Sequence, residues 1–229
     1  MELSITLIIV IVTCIVSISG FNNHRIIDDL IFYPPAVTRR KQWYRFFSCG
    51  LIHADYLHLI FNMYAFYTFG TNVELGVQYS NTVGRDNGFI QIFGLTEGKL
   101  LYILMYVLAL GFCLLPTFAK HKDDYLYRSL GASGAVSAVI FAGLVLEPRT
   151  GVGMLFVPGI SIPGYVFAPV FLAISHYLSK KGRDNVNHSA HIWGAVFGII
   201  FIIAFCYALT DYDPIRGFIK SVKMDIGAS

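Results

Sequence analysis

Three stretches of this chain, residues 3–20, 100–118 and 188–209, contain no Asp, Glu, Lys or Arg. Uncharged runs of about 18 residues or more are read as helices that cross a bilayer. Composition agrees. Hydrophobic residues make up 55% of the 229 and charged residues 14%, with a mean hydropathy of +0.61, so lipid has to replace water as the main solvent. Further apolar stretches at 56–75, 131–146 and 166–178, the last two shorter, complete six expected helices in a single membrane domain, with 210–229 as a short polar tail. The 131–146 stretch falls short of the roughly 20 residues a full crossing needs. The first stretch is read as a retained span, since Met1-Glu2 lacks the positive start of a secretory signal.

These features exclude several classes. The net charge is only +3, and the basic residues are scattered through connectors instead of interleaving with aromatics, so nucleic acid is not an expected partner. Cys14, Cys113 and Cys206 lie in apolar segments and Cys49 just before one, without metal-ligand spacing or a disulfide framework.

The connectors differ in character. Residues 21–55 hold Pro34-Pro35, Arg39-Arg40-Lys41 and Trp43-Tyr44-Arg45-Phe46-Phe47, a mixture suited to the headgroup layer and expected to lie in the interface. Residues 76–99 are polar, with a turn signal at Asn87-Gly88. Residues 119–129 read as a solvated loop. Pro158-Gly159 and Pro163-Gly164 break the next apolar pieces into an interfacial loop, and Pro169 marks 166–178 as a candidate mobile helix.

Chemistry concentrates at three helix starts. Gly131-Ala132-Ser133-Gly134 opens one, His188-Ser189-Ala190-His191 opens another, and His58 and Asn62 stand four apart near the start of a third. A lone Ser in an apolar helix usually bonds back to a carbonyl one turn earlier, and a His/Asn pair alone is most often glue between helices. Together, polar groups at membrane depth point to function. Ser133 as nucleophile needs a base, which His191 supplies, and donors aimed at the developing oxyanion. His58, Asn62 and the Ser133 backbone N–H are the candidates, each such donor being worth about 2.7–4 kcal/mol of barrier. Gly194 and Gly198 share a stripe with His191, and Gly131, Gly134 and Ala138 offer small residues opposite, so two backbones can approach closely. Neither helix contains an Asp or Glu to orient His191, which predicts a Ser133–His191 dyad. His53 is expected only to cap or anchor the helix that follows it.

The motifs Gly131-Ala132-Ser133-Gly134, Ala190-His191-Ile192-Trp193-Gly194 with Gly198, and His58-Leu59-Ile60-Phe61-Asn62 occur in an order and spacing that resembles the rhomboid intramembrane serine proteases. The resemblance covers about residues 43–200 and extends to Tyr44-Arg45 in the first loop and to Glu74 closing the second helix. It implies an all-α membrane protein with a six-transmembrane-helix bundle and a long interfacial loop between helices 1 and 2. It further implies a serine endopeptidase whose partners are the lipid bilayer and single-span membrane protein substrates entering past the fifth helix, with no metal or other cofactor, in a bacterial inner or cell membrane. Three departures stand out: Ser137 occupies the place where many members carry a Tyr stacked on the catalytic His, Tyr44 replaces the Trp of the first-loop pair, and the 76–99 connector is long. The competing expectations are a catalytically silent relative that binds client transmembrane helices, and a small transporter. A metalloprotease fits poorly, since His188 and His191 lack a His-Glu-x-x-His arrangement.

Overall fold

In lipid every backbone polar group has to be satisfied internally, and the uncharged runs accordingly form helices. A computed structural model describes residues 4–77, 87–154, 157–181 and 186–227 of the chain. It is mainly helical, with α1 (Ile5–Asn22), α2 (His24–Leu30), α3 (Pro34–Arg40), α4 (Arg45–Ser48), α5 (Tyr56–Leu75), α6 (Phe89–Phe93), α7 (Leu95–Phe112), α8 (Leu115–His121), α9 (Ser133–Leu146), α10 (Gly164–Lys181), α11 (His188–Leu209) and α12 (Pro214–Asp225). Three segments, Ile5–Asn22, Leu95–His121 and His188–Leu209, are long and apolar enough to cross a membrane. Their outer faces carry Ile15, Leu100 and Ile200, each about 60% exposed, a pattern water penalises and lipid accepts.

α9 is the innermost helix. Every residue from Gly134 to Val139 is buried, and α5, α7 and α11 pack around it. The residues on this helix are mostly Gly, Ala, Ser and Val, which lets neighbours come close on all sides. The main core joins Phe66, Tyr102, Met105, Val139 and Ile202. A smaller one joins Phe32, Val37 and Phe46 of the 21–55 segment to Cys113, Leu114 and Ala190.

The 21–55 segment is more ordered than the aromatic and basic composition suggested, forming α2, α3, α4 and a 3-10 turn at Cys49–Leu51. Arg45, 6% exposed, organises it. Its guanidinium donates to the Asp28 and Ile31 carbonyls and to Gln42 Oε1 at 2.7–3.0 Å. A buried cation is tolerable only when saturated in this way. The residues expected as a loop around Pro158-Gly159 and Pro163-Gly164 instead form a hairpin. β1 (Gly151–Met154) pairs antiparallel with β2 (Val157–Pro163), from Gly151 opposite Pro163 to Met154 opposite Val157, with an irregularity after Gly153. Pro163 sits at the end of the ladder, where its missing donor costs least, so the prolines trim the strands without abolishing them. Among the described residues this two-stranded sheet departs from the all-helical expectation. The 100–118 stretch divides at Cys113 and Leu114, with Pro116 at the second position of α8, a place where Pro lacks only a donor the helix does not use. The 210–229 segment contains α12, and Pro169 is accommodated inside α10. Of the 76–99 connector, residues 78–86 lie outside the described residues.

The best-defined lock between helices is Glu74. Its side chain is fully buried, and its carboxylate accepts the Ser4 hydroxyl at 2.7 Å and the Ile5 and Thr6 backbone N–H groups at 2.7 and 2.9 Å. An anion at a helix N-terminus satisfies donors that the helix itself cannot and meets the positive end of its dipole. Glu74→Ala removes all three acceptor contacts, and we expect a loss of about 3 kcal/mol, measured as denaturant unfolding in detergent.

Candidate active site

The turn before α9 depends on Gly131, whose φ of +110° is a region L side chains avoid. A Cβ there would also press on the His58 ring. The Gly131 N–H donates to the Cys49 carbonyl at 2.9 Å, which ties the turn to the 21–55 segment. Ala132 then provides no side-chain cap for α9, and Ser133 occupies the first helical position with its backbone N–H among those a helix leaves unpaired.

On the opposite wall, Asn187 caps α11 by accepting the Ala190 N–H at 3.1 Å and is held to Thr117 of α8 by two hydrogen bonds. One turn on, His191 faces α9. Gly194 and Gly198 lie against the Gly134 and Ala138 carbonyls so closely that a Cβ at either would overlap them. The result is a 2.7 Å hydrogen bond between Ser133 Oγ and His191 Nε2, linking residues 58 positions apart.

The expected donors line the same cavity. It measures about 500 Å³ and is bounded by His58, Asn62, Ser133, Gly134 and His191 together with Asn187. His58 Nδ1 accepts the Ala54 N–H at 3.4 Å, which leaves Nε2 as the N–H donor of a neutral ring, and that edge faces Gly131. Asn62 holds its amide in place by donating to the His58 carbonyl at 3.0 Å. Asp55, the nearest acid in the lining, accepts the His58 N–H at 2.8 Å and so caps α5.

Ser137 turns away from the imidazole and donates to the Ser133 carbonyl at 2.9 Å, the back-bond expected of a helical Ser. The aromatic neighbour of His191 comes instead from α10. The Phe171 ring lies 6.1 Å away, tilted by 33°, with His188 edge-on at 5.8 Å. No signal in the sequence assigned Phe171 to this place, because the contact joins two helices whose register only packing sets.

His53 has a larger structural part than an anchor for α5. The Ser17 hydroxyl donates to the Leu51 carbonyl at 2.9 Å, so it accepts from His53 Nδ1–H at 3.0 Å, and His53 Nε2 is left to accept the Ala132 N–H at 3.4 Å. One neutral imidazole thereby joins α1 to the residue before Ser133. Burial, together with the neighbouring His58, pushes its pKa down to about 3. Because the folded value lies below the unfolded one near 6.5, the unfolded chain binds the extra proton between these values, and stability falls as pH drops from 6.5 toward 3. We expect the unfolding midpoint of the wild type to decline over that window, and a His53→Asn variant, less stable at pH 7, to lose this component of the pH dependence.

The same glycine contacts make a second prediction. Gly198→Val forces a side chain into the Ala138 carbonyl, and overpacking of this kind costs roughly 1–3 kcal/mol, read as a lower melting temperature in detergent.

Among the described residues no cluster of three or more His, Cys, Asp or Glu is placed to hold a metal ion, and the four cysteines are free.

Comparison with known proteins fits this geometry. The Rhomboid domain profile matches residues 40–208. The chain is 26% identical over 150 residues to the zebrafish (Danio rerio) presenilin-associated rhomboid-like protein A, mitochondrial, covering 66% of this chain and 34% of that protein. Two Arabidopsis thaliana proteins are each 25% identical. RHOMBOID-like protein 12, mitochondrial, aligns over 65% of this chain and 42% of its own length, and Rhomboid-like protein 15 over 76% and 39%. The chain thus spans about a third to two fifths of the length of these relatives. All three come from eukaryotes and two are named as mitochondrial, which gives no support to a bacterial membrane. With its profile match running from the first connector to the end of α11, this integral membrane chain belongs to the rhomboid family.

Proposed function

We propose that this protein is an intramembrane serine endopeptidase that cuts single-span membrane proteins with Ser133 as nucleophile and His191 as general base. The observation that carries the reading is the 2.7 Å Ser133 Oγ to His191 Nε2 hydrogen bond, made inside a cavity lined with potential oxyanion donors. A Ser hydroxyl is a weak nucleophile unless a base sits within this reach.

In the proposed reaction, Ser133 Oγ attacks the substrate carbonyl carbon while its proton passes to His191 Nε2. The carbonyl oxygen takes up the electron pair and is stabilised by the Ser133 N–H, His58 Nε2–H and the Asn62 amide. Collapse of this intermediate expels the amine, which leaves with the proton from the imidazolium, and an ester to Ser133 remains. Water, deprotonated by His191, attacks that ester. Collapse of the second tetrahedral intermediate breaks the bond to Ser133 Oγ, the His191 imidazolium returns its proton to that oxygen, and the new carboxylic acid leaves and ionises in water.

Helix lengths support the membrane setting of this reading. α9 spans only about 21 Å, less than the roughly 30 Å hydrocarbon layer, so in a bundle of six spans built from α1, α5, α7 with α8, α9, α10 and α11 its first residue lies below the surface. The cavity then brings water to Ser133, and substrate approaches past α10, whose Phe171 borders His191. The bundle, its substrate class and its multi-pass insertion belong to this proposal.

The test is cleavage of a reporter single-span protein in liposomes. Wild type is expected to cut it, while Ser133→Ala and His191→Ala each lose at least about 10³-fold in kcat/KM. Asn62→Ala and His58→Ala each lose on the order of 10²-fold, mainly in kcat, as oxyanion donors do. Cutting that survives Ser133→Ala would overturn the reading, and a wild type that binds such helices without cutting them would favour a client-binding role.

A further inference from the structure

α12 carries more charged residues than any other described helix of ten residues or more. Its 12 residues reach only ~18 Å, and it contains Arg216, Lys220 and Lys223, so it is neither long nor apolar enough to cross a bilayer. It starts four residues after α11, a helix fit to cross one, and its position is fixed. Asp213 caps its N-terminus by accepting the Arg216 N–H at 2.9 Å, and the same carboxylate oxygen accepts the Tyr207 hydroxyl at 2.8 Å. The Tyr165 hydroxyl at the start of α10 donates to Asp225 at 2.9 Å. The side bearing Pro214, Phe218 and Val222 rests on the protein, against the ends of α9 and α11.

What remains uncovered is sorted by angle. Ile215, Ile219 and Ile226 are 45%, 50% and 61% exposed and recur at spacings that share one stripe. Arg216, Lys220 and Lys223, all exposed, occupy the adjoining stripe. Asp213 at the helix start and Asp225 with Tyr165 are already engaged, and the third acid of this region, Asp211, lies in the connector before α12, so the exposed side of the helix presents cations next to aliphatics.

We propose that α12 is an interfacial helix that lays this side on the anionic headgroup layer of the bilayer, on the face opposite the opening of the Ser133 cavity. The isoleucines sink into the acyl boundary beside the bundle and the three cations meet acidic lipid. A helix held at the end of a membrane span, with apolar and basic stripes side by side, matches the chemistry of such a surface. A protein partner would need its own complementary acidic and apolar stripes, and the bilayer, whose edge the end of α11 marks, already supplies both.

The experiment uses the full chain with Cys14→Ala, since Cys49, Cys113 and Cys206 are buried. A nitroxide is placed at Ile219→Cys or, as a water-exposed reference, at Asp211→Cys, in nanodiscs of phosphatidylglycerol or of phosphatidylcholine. In phosphatidylglycerol the label at 219 should relax more with oxygen than with a water-soluble nickel chelate, the reverse of 211, and less so in phosphatidylcholine. Combining R216E, K220E and K223E should raise nickel access at 219 roughly tenfold in phosphatidylglycerol and leave it unchanged in phosphatidylcholine. The proposal is overturned if 219 is as open to nickel as 211 in phosphatidylglycerol, if both relaxants are excluded as a second protein would exclude them, or if lipid charge makes no difference. Should the triple variant not reconstitute, the comparison of the two lipids decides alone.

Discussion

Everything at the centre of this protein depends on how closely the α9 and α11 backbones approach. Gly194 and Gly198 leave no side chain between α11 and the carbonyls of Gly134 and Ala138. That approach sets the distance from which Ser133 and His191 can share a proton. Between apolar helices in lipid there is no gain from leaving water, and small residues that permit dense packing supply much of the attraction. The same glycines therefore serve both the fold and the proposed chemistry.

The rest of the molecule holds the two ends of that contact. Asn187 and Thr117 fix the start of α11. Gly131, Cys49 and His53 fix the start of α9. His53 reaches across to Ser17, and Glu74 locks the N-terminus of α1, so α1 is bound near one end to α5 and near the other to the residues just before it. Each lock is a polar group buried with its partners satisfied, the condition under which a polar contact strengthens a structure in a medium that offers no substitute. The candidate active-site side is thereby built on rigid elements, with α10 supplying the aromatic wall through Phe171.

Much of this was legible in the sequence where one physical signal dominated. The stretches 56–75 and 188–209 coincide with α5 and α11, because Asp55 and Asn187 cap their starts and mainly apolar residues fill them. The Ser, His and Asn positions were readable because polar groups in apolar helices are costly and few. What escaped depends on angle and partner. α12 looked like a polar tail because its average composition is balanced, and only the separation of Ile215 and Ile219 from Arg216 and Lys220 reveals a two-sided helix. The hairpin was hidden by its prolines, one at the end of the ladder and one in its irregular stretch. Phe171 and the Ser17–His53–Ala132 chain join segments distant in sequence, and no local pattern encodes such a register.

The most direct measurement of the central claim is covalent labelling of the reconstituted protein by a fluorophosphonate, followed by peptide mass spectrometry. Attack by an activated Ser Oγ on phosphorus expels fluoride and leaves a stable adduct. The account predicts a single adduct at Ser133, with a labelling rate that falls at least about 10³-fold in His191→Ala. An adduct at another serine, or a Ser133 labelling rate indifferent to His191, would contradict it.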